Sequence, residues 1–118
     1  MAQFTQSVIY NSAGTSTDIA ISVTVGFAQP SVSRVYVDGK AFNDEIRDSF
    51  NLTVGSANVL RGKEVVCITT VSDMQPNTNE TSLKIKVRGG SGVLDVQTLR
   101  LRANEGEVVF YKINIIII

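Results

Sequence analysis

The feature that most constrains this chain is an alternation of apolar and polar residues with a period of two. The segment "TSLKIKVR" places Leu83, Ile85 and Val87 on one face, and Ser82, Lys84, Lys86 and Arg88 on the other. Successive side chains of a β-strand point to opposite sides, so this spacing predicts a strand with one buried and one solvated face. The stretch "DIAISVTV" repeats the pattern, with Ile19, Ile21, Val23 and Val25 against Ala20, Ser22 and Thr24. "KEVVCITTV" is apolar or β-branched on both faces and reads as a central strand covered on both sides. Further strands are expected at "QFTQSVIY", "SRVYV", "FNLTV", "LDVQTLRLR" and "EVVFYKINIII".

Turn chemistry separates these runs. Asp38-Gly39 after "VYV" predicts a type I′ hairpin, since both central residues of that turn need positive φ. "SAGTS", "RGK", "MQPNTNE", "RGGSG" and "NEG" read as loops, and "VSDMQPNTNETS" as the most mobile tract. In "LDVQTLRLR" the apolar face changes phase between Val96 and Leu99, which predicts a β-bulge near Gln97 or Thr98. "NDEIRDSF", with Asn43 as N-cap, is the one candidate for a short helix. Eight or nine short strands and at most one short helix predict an all-β fold. The expected form is an antiparallel β-sandwich, immunoglobulin-like or jelly-roll-like, as a single domain over residues 1–118.

The 118 residues suffice to bury a core without a metal or a disulfide. Eleven basic and eleven acidic residues leave zero formal charge, so global attraction to nucleic acid or anionic lipid is not expected. The opening "MAQFTQSVIYNSAGTST" lacks a basic, then apolar, leader pattern, so no secretory signal is expected and synthesis in a reducing cytoplasm is. The longest apolar run, Ile115–Ile118, is far short of a membrane span.

Catalytic chemistry finds little support. With no histidine, the commonest general base and most zinc sites are missing. Cys67, the only cysteine, lies within apolar "VVCITT" and reads as a core thiol. "GSANVLRGKE" has six residues between its glycines and Glu64 where a phosphate loop needs Ser or Thr. The acidic groups Asp38, Asp44, Glu45, Asp48 and Asp73, Asn77, Asn79, Glu80 lack the spacing of a calcium loop and read as turns. No catalytic residue, metal site or cofactor is expected, and the chain is read as a non-enzymatic protein.

Two features point to contacts instead. Lys84, Lys86, Arg88, Arg100 and Arg102 fall on consecutive strands and would form a basic stripe if those strands pair. Neither strand carries an aromatic residue to stack a base, so the stripe reads first as a solvated face, and nucleic acid is not an expected partner. The terminal strand sets Val109, Tyr111, Ile113, Ile115 and Ile117 on one face and Phe110, Ile116 and Ile118 on the other. Isoleucines left in water forfeit burial energy and template aggregation. Ile115, Ile116, Ile117, Ile118 and Phe110 are therefore the expected partner interface, with cover from within the domain as the alternative. On the first reading, deleting Ile115–Ile118 should abolish assembly yet leave a folded domain.

From Ser33 to Val71 the order Val35-Tyr36-Val37, the Asp38-Gly39 turn, a short return and "VLRGKEVVCI" running into a long strand resembles small immunoglobulin-like modules on tailed-phage virion surfaces. The resemblance implies a virion accessory subunit, a capsid decoration or a tail or fibre component, made in the host cytoplasm. Its partners would be other protein chains, in a homo-oligomer or larger assembly. The alternative is a carbohydrate- or ligand-binding module using "NSAGTSTD" and "MQPNTNETS" at one end of the sandwich.

Overall fold

In the computed structural model the period-two segments become strands that close around one apolar layer. The structure describes residues 3–14, 16–74, 79–89, 92–102, 104 and 106–118, with the backbone alone for 92 and 95–101. The elements are β1 (Gln3–Tyr10), β2 (Asp18–Val25), β3 (Ser31–Val37), β4 (Lys40–Ala41), β5 (Ile46–Arg47), β6 (Phe50–Ser56), α1 (Ala57–Leu60), β7 (Glu64–Ser72), β8 (Glu80–Gly89), β9 (Gly92–Arg102) and β10 (Val108–Ile117). One sheet has the order β1-β10-β7-β3-β4, with β5 also on β3; the other has the order β6-β2-β8-β9. The fold is an all-β sandwich, as the alternation requires.

The core is the sum of the inward faces. Ile19, Ile21 and Val23 of β2 and Leu83, Ile85 and Val87 of β8 meet Val65, Cys67 and Val71 of β7 and the odd-numbered residues of β10. Tyr10 and Tyr111 carry hydroxyls into this layer; Tyr10 donates to Gly89 O, and the Tyr111 hydroxyl lies 2.9 Å from Thr81 Oγ1 across the sandwich. Ser33 and Thr69, partners on adjacent strands of the first sheet, also pair, Oγ to Oγ1, at 2.8 Å. Such pairing removes the penalty of burying hydroxyls.

Local signals act where they were read. Asp38 and Gly39 have φ of 47° and 80°, the two positive values of a type I′ turn, and Val37 pairs with Lys40 across it. The β8–β9 register slips between Leu83↔Leu99 and Ile85↔Val96, so Gln97 and Thr98 together oppose Lys84 alone, as a bulge demands. Gly89 is needed for a different reason. Its φ is +127°, and a Cβ there would stand 2.2 Å from the carbonyl oxygen of Asp18.

Two expectations about local structure are corrected. "NDEIRDSF" holds no helix: Ile46 and Arg47 pair with Ser33 and Val32, Asp48 takes a φ of 62°, and Glu45 reaches Arg34 at 3.0 Å. Tertiary pairing overrides the weak local preference. The helix is α1 instead, a single turn after β6 whose Ala57 and Leu60 close one end of the core. β7 is central within its sheet, yet only its inner face is covered by the second sheet; Ile68 and Thr70 on the outer face are half-buried by neighbouring strands. The tract "VSDMQPNTNETS" spans the β7–β8 connection, of which residues 75–78 lie outside the described part.

The isoleucine tail divides between two environments. Ile113, Ile115 and Ile117 are wholly buried, whereas Ile116 and Ile118 face outward. β10 lies inside its sheet, parallel to β1 and antiparallel to β7. Its last backbone groups are held as well: Ser12 N donates to Ile118 O at 2.8 Å, Gly62 N to Ile117 O at 2.7 Å, and Ile118 N to Tyr10 O at 2.9 Å. Deleting Ile115–Ile118 would therefore remove core side chains and a stretch of central strand, so a folded domain is not the expected product.

Urea unfolding checks this division. Ile115→Ala and Ile117→Ala should each cost about 2–4 kcal/mol, whereas Ile116→Ser should cost about 1 kcal/mol or less. Gly89→Ala should cost about 2–3 kcal/mol through strain and backbone collision, without any loss of apolar burial.

Candidate functional site

Three surface regions carry the residues that sequence reasoning singled out. The first is the outer face of the β1/β10 pair. Ile9 and Ile116 are cross-strand neighbours, and Ile118 follows two residues along the same face of β10. Their exposures are 61%, 37% and 50%, high enough to make a continuous apolar strip at one end of the sheet. Phe110 shares this face but pairs with Gln3, about 20 Å up the strand. The polar side chains of Lys112 and Asn114 intervene, with Asn114 Nδ2 donating to Ser7 Oγ at 3.2 Å. Of the five expected interface residues, Ile116 and Ile118 come together, Phe110 stands apart, and Ile115 and Ile117 belong to the core. Ile9 was missed: one isoleucine within "QFTQSVIY" gives no signal until the parallel pairing of β1 with β10 is known.

The second region is the basic stripe. β8 and β9 do pair, and Lys84, Lys86 and Arg88 lie on the outer face beside Thr24, Ser22 and Ala20 of β2. With Ser22 and Thr24 they line a shallow groove of about 200 Å³. Arg88 Nη2 donates to Ser22 Oγ at 3.4 Å, and Ser22 donates in turn to Asn51 Oδ1. The five cations do not form one unbroken line. Asp95 is the register partner of Lys86, and Glu80 that of Arg102. Arg100 is the backbone partner of Ser82, and its side chain lies outside the described residues.

The third region lies at the opposite end of the sandwich from Ile118. There Val25, Gln29, Pro30, Asp48, Ser49 and Met74 border an open cleft of about 500 Å³. Gln29 is almost wholly buried and ties two loops together. Its Nε2 donates to Asp73 Oδ1 at 2.8 Å and to Glu80 O at 3.3 Å, while its Oε1 accepts from Met74 N at 2.8 Å. The described residues of "NSAGTSTD" and "MQPNTNETS" lie at opposite ends of the sandwich. Ser12 abuts Ile118, whereas Asp73 follows Ser72, the partner of Val108 at the far end of β10. The ligand-binding alternative as first framed, with both loops at one end, is not what the topology gives.

Several of the acidic side chains have partners on neighbouring segments. Asp38 Oδ1 accepts from Glu64 N at 3.1 Å, Asp48 Oδ1 from Ser31 N at 3.4 Å, and Glu45 pairs with Arg34. Asn77 lies outside the described residues. Among the described residues no three of His, Cys, Asp and Glu gather where they could hold a metal ion. No helix among them is long and apolar enough to cross a membrane. Cys67 is buried in the core; desolvation pushes its thiol from 9.0 up to about 11, opposed in part by its contact with Thr69 Oγ1 at 3.8 Å.

Comparison with known proteins finds no matching family, no matching curated protein and no matching solved structure.

Cys67 has a measurable consequence. Between pH 9 and about 11 the unfolded chain releases this proton and the folded chain keeps it, so stability falls as pH rises through that window. The full loss is on the order of 3 kcal/mol. Unfolding at a series of alkaline pH values should show this decline in the native chain. It should be absent, against a lower baseline, in Cys67→Ala.

Proposed function

We propose that this protein is a non-enzymatic structural subunit that docks on another protein chain through the isoleucine strip of the β1/β10 face. The observation that carries the reading is the adjacency of Ile9, Ile116 and Ile118, all exposed, on a sheet face that no other element among the described residues covers. Full burial of an isoleucine contributes roughly 1.5–3 kcal/mol, so covering three half-exposed ones supplies a substantial part of a stable contact. The strip is bordered by polar Ser7 and Asn114, a rim that fixes orientation. On the resemblance between Ser33 and Val71 we assign the subunit to a virion, as a capsid decoration or a tail or fibre component.

A photo-crosslinking residue in place of Ile118 tests this in the native host. The expected result is a crosslink to one defined partner chain within particles, and its loss when Ile9→Lys is added without a change in thermal stability. A chain recovered free of particles at 12.8 kDa, with the crosslinker unreacted, overturns the reading.

A further inference from the structure

The four lateral edges of the two sheets are not alike. At one end of the first sheet β4 and β5 have two residues each, and each contains a cation, Lys40 or Arg47. In the second sheet β6 is bulged opposite Ile19 and Ala20 and contains Gly55, while β9 is bulged at Gln97–Thr98 and carries Asp95, Arg100 and Arg102. Brevity, charge and bulges are the devices that stop an edge strand from pairing with another chain. β1 has none of them. It runs eight residues, "QFTQSVIY", without charge, Pro or Gly, and holds an unbroken register of eight partners on β10.

Its side chains also fit an additional strand. On the inner face Phe4 and Val8 pack against the core and are only partly buried, with the Phe4 ring 6.3 Å from that of Tyr111. On the outer face Gln3, Thr5, Ser7 and Ile9 are exposed. A neighbouring strand would complete the cover of Phe4 and Val8.

We propose that β1 is the interface of a homodimer, in which two copies pair β1 with β1 antiparallel about a two-fold axis and join their first sheets into one. This rests on the reading of the protein as an assembly subunit, but it concerns the lateral edge of β1 rather than its outer face, and shares only Ile9 with the isoleucine strip. The second copy is the occupant because the edge is complementary to itself. Two uncharged strands oppose each other without repulsion, and the chain's zero net charge adds no barrier to self-association. Every two-fold antiparallel register places residues of one face opposite each other, setting Thr, Ser, Gln and Ile of one copy against the same types in the other. Alternate residues of β1 direct both backbone groups away from β10, so eight-residue strands would form roughly eight N–H···O bonds, close to the ten or so of a standard interface.

Sedimentation velocity on the full chain over a micromolar concentration series tests the pairing. The native chain should sediment as a dimer of twice 12.8 kDa. The double variant Thr5→Lys/Ser7→Lys sets like charges together in any two-fold register near the strand centre. It should halve the mass while keeping the native circular dichroism spectrum. Mixing it with Thr5→Glu/Ser7→Glu should restore the dimer as a heterodimer. Thr53→Lys, on the edge strand β6, and Ile116→Lys, in the isoleucine strip, should leave the dimer intact. A native chain that is monomeric throughout, or a dimer indifferent to the β1 lysines, overturns the proposal. A dimer lost with Ile116→Lys alone would instead assign self-association to the isoleucine strip.

Discussion

The placement of β10 between β1 and β7 is the constraint on which the rest of this structure depends. Every second residue from Val109 to Ile117 is wholly buried, and together they form the longest continuous buried stripe among the described residues. The strand is flanked on both sides over nearly its full length, parallel on one and antiparallel on the other. It draws residues near the start of the chain to residues near its end. It also presents the end of the strand to the backbone of Ser12, Gly62 and Lys63. Few of these contacts are local in sequence, so a slow, non-local folding nucleus is the physical corollary.

The same placement creates the surfaces that carry the functional reading. Because β10 is interior, its alternate residues must face outward, and the run of isoleucines cannot bury both sides. Ile115 and Ile117 enter the core while Ile116 and Ile118 emerge beside Ile9. Because β10 takes the interior position, β1 becomes the edge, and an uncharged strand comes to lie where other edges of this fold carry charges, bulges or minimal length. The basic face of β8 lies on the second sheet, so cationic and apolar surfaces point away from each other. This separation suits a subunit that contacts different neighbours on different sides.

Much of the fold was legible because the period of two is a local property. The inward sets on β2, β8 and β10 follow from alternation alone, the Asp38-Gly39 turn from the φ angles that its residues accept, and the β9 bulge from the change of phase after Val96. The site was legible only in part. Ile116 and Ile118 were marked by their apolarity, but Ile9 is invisible without its partner strand, and Phe110 was grouped with residues that the register holds far away. The helix expected at "NDEIRDSF" failed because β3 offers Ile46 and Arg47 backbone partners, and a one-turn helix at "ANVL" is too short to leave a periodic signal.

By itself the sequence determined which face of each strand is apolar, where the chain turns, and that histidine-based and metal-clustered chemistry has few residues to work with. Only the tertiary structure decided which strands are neighbours, which of them is left at an edge, and which isoleucines remain in water. The reason is physical: alternation and turn geometry arise within a few residues, whereas strand order depends on hydrogen bonds between segments as distant as Gln3 and Phe110.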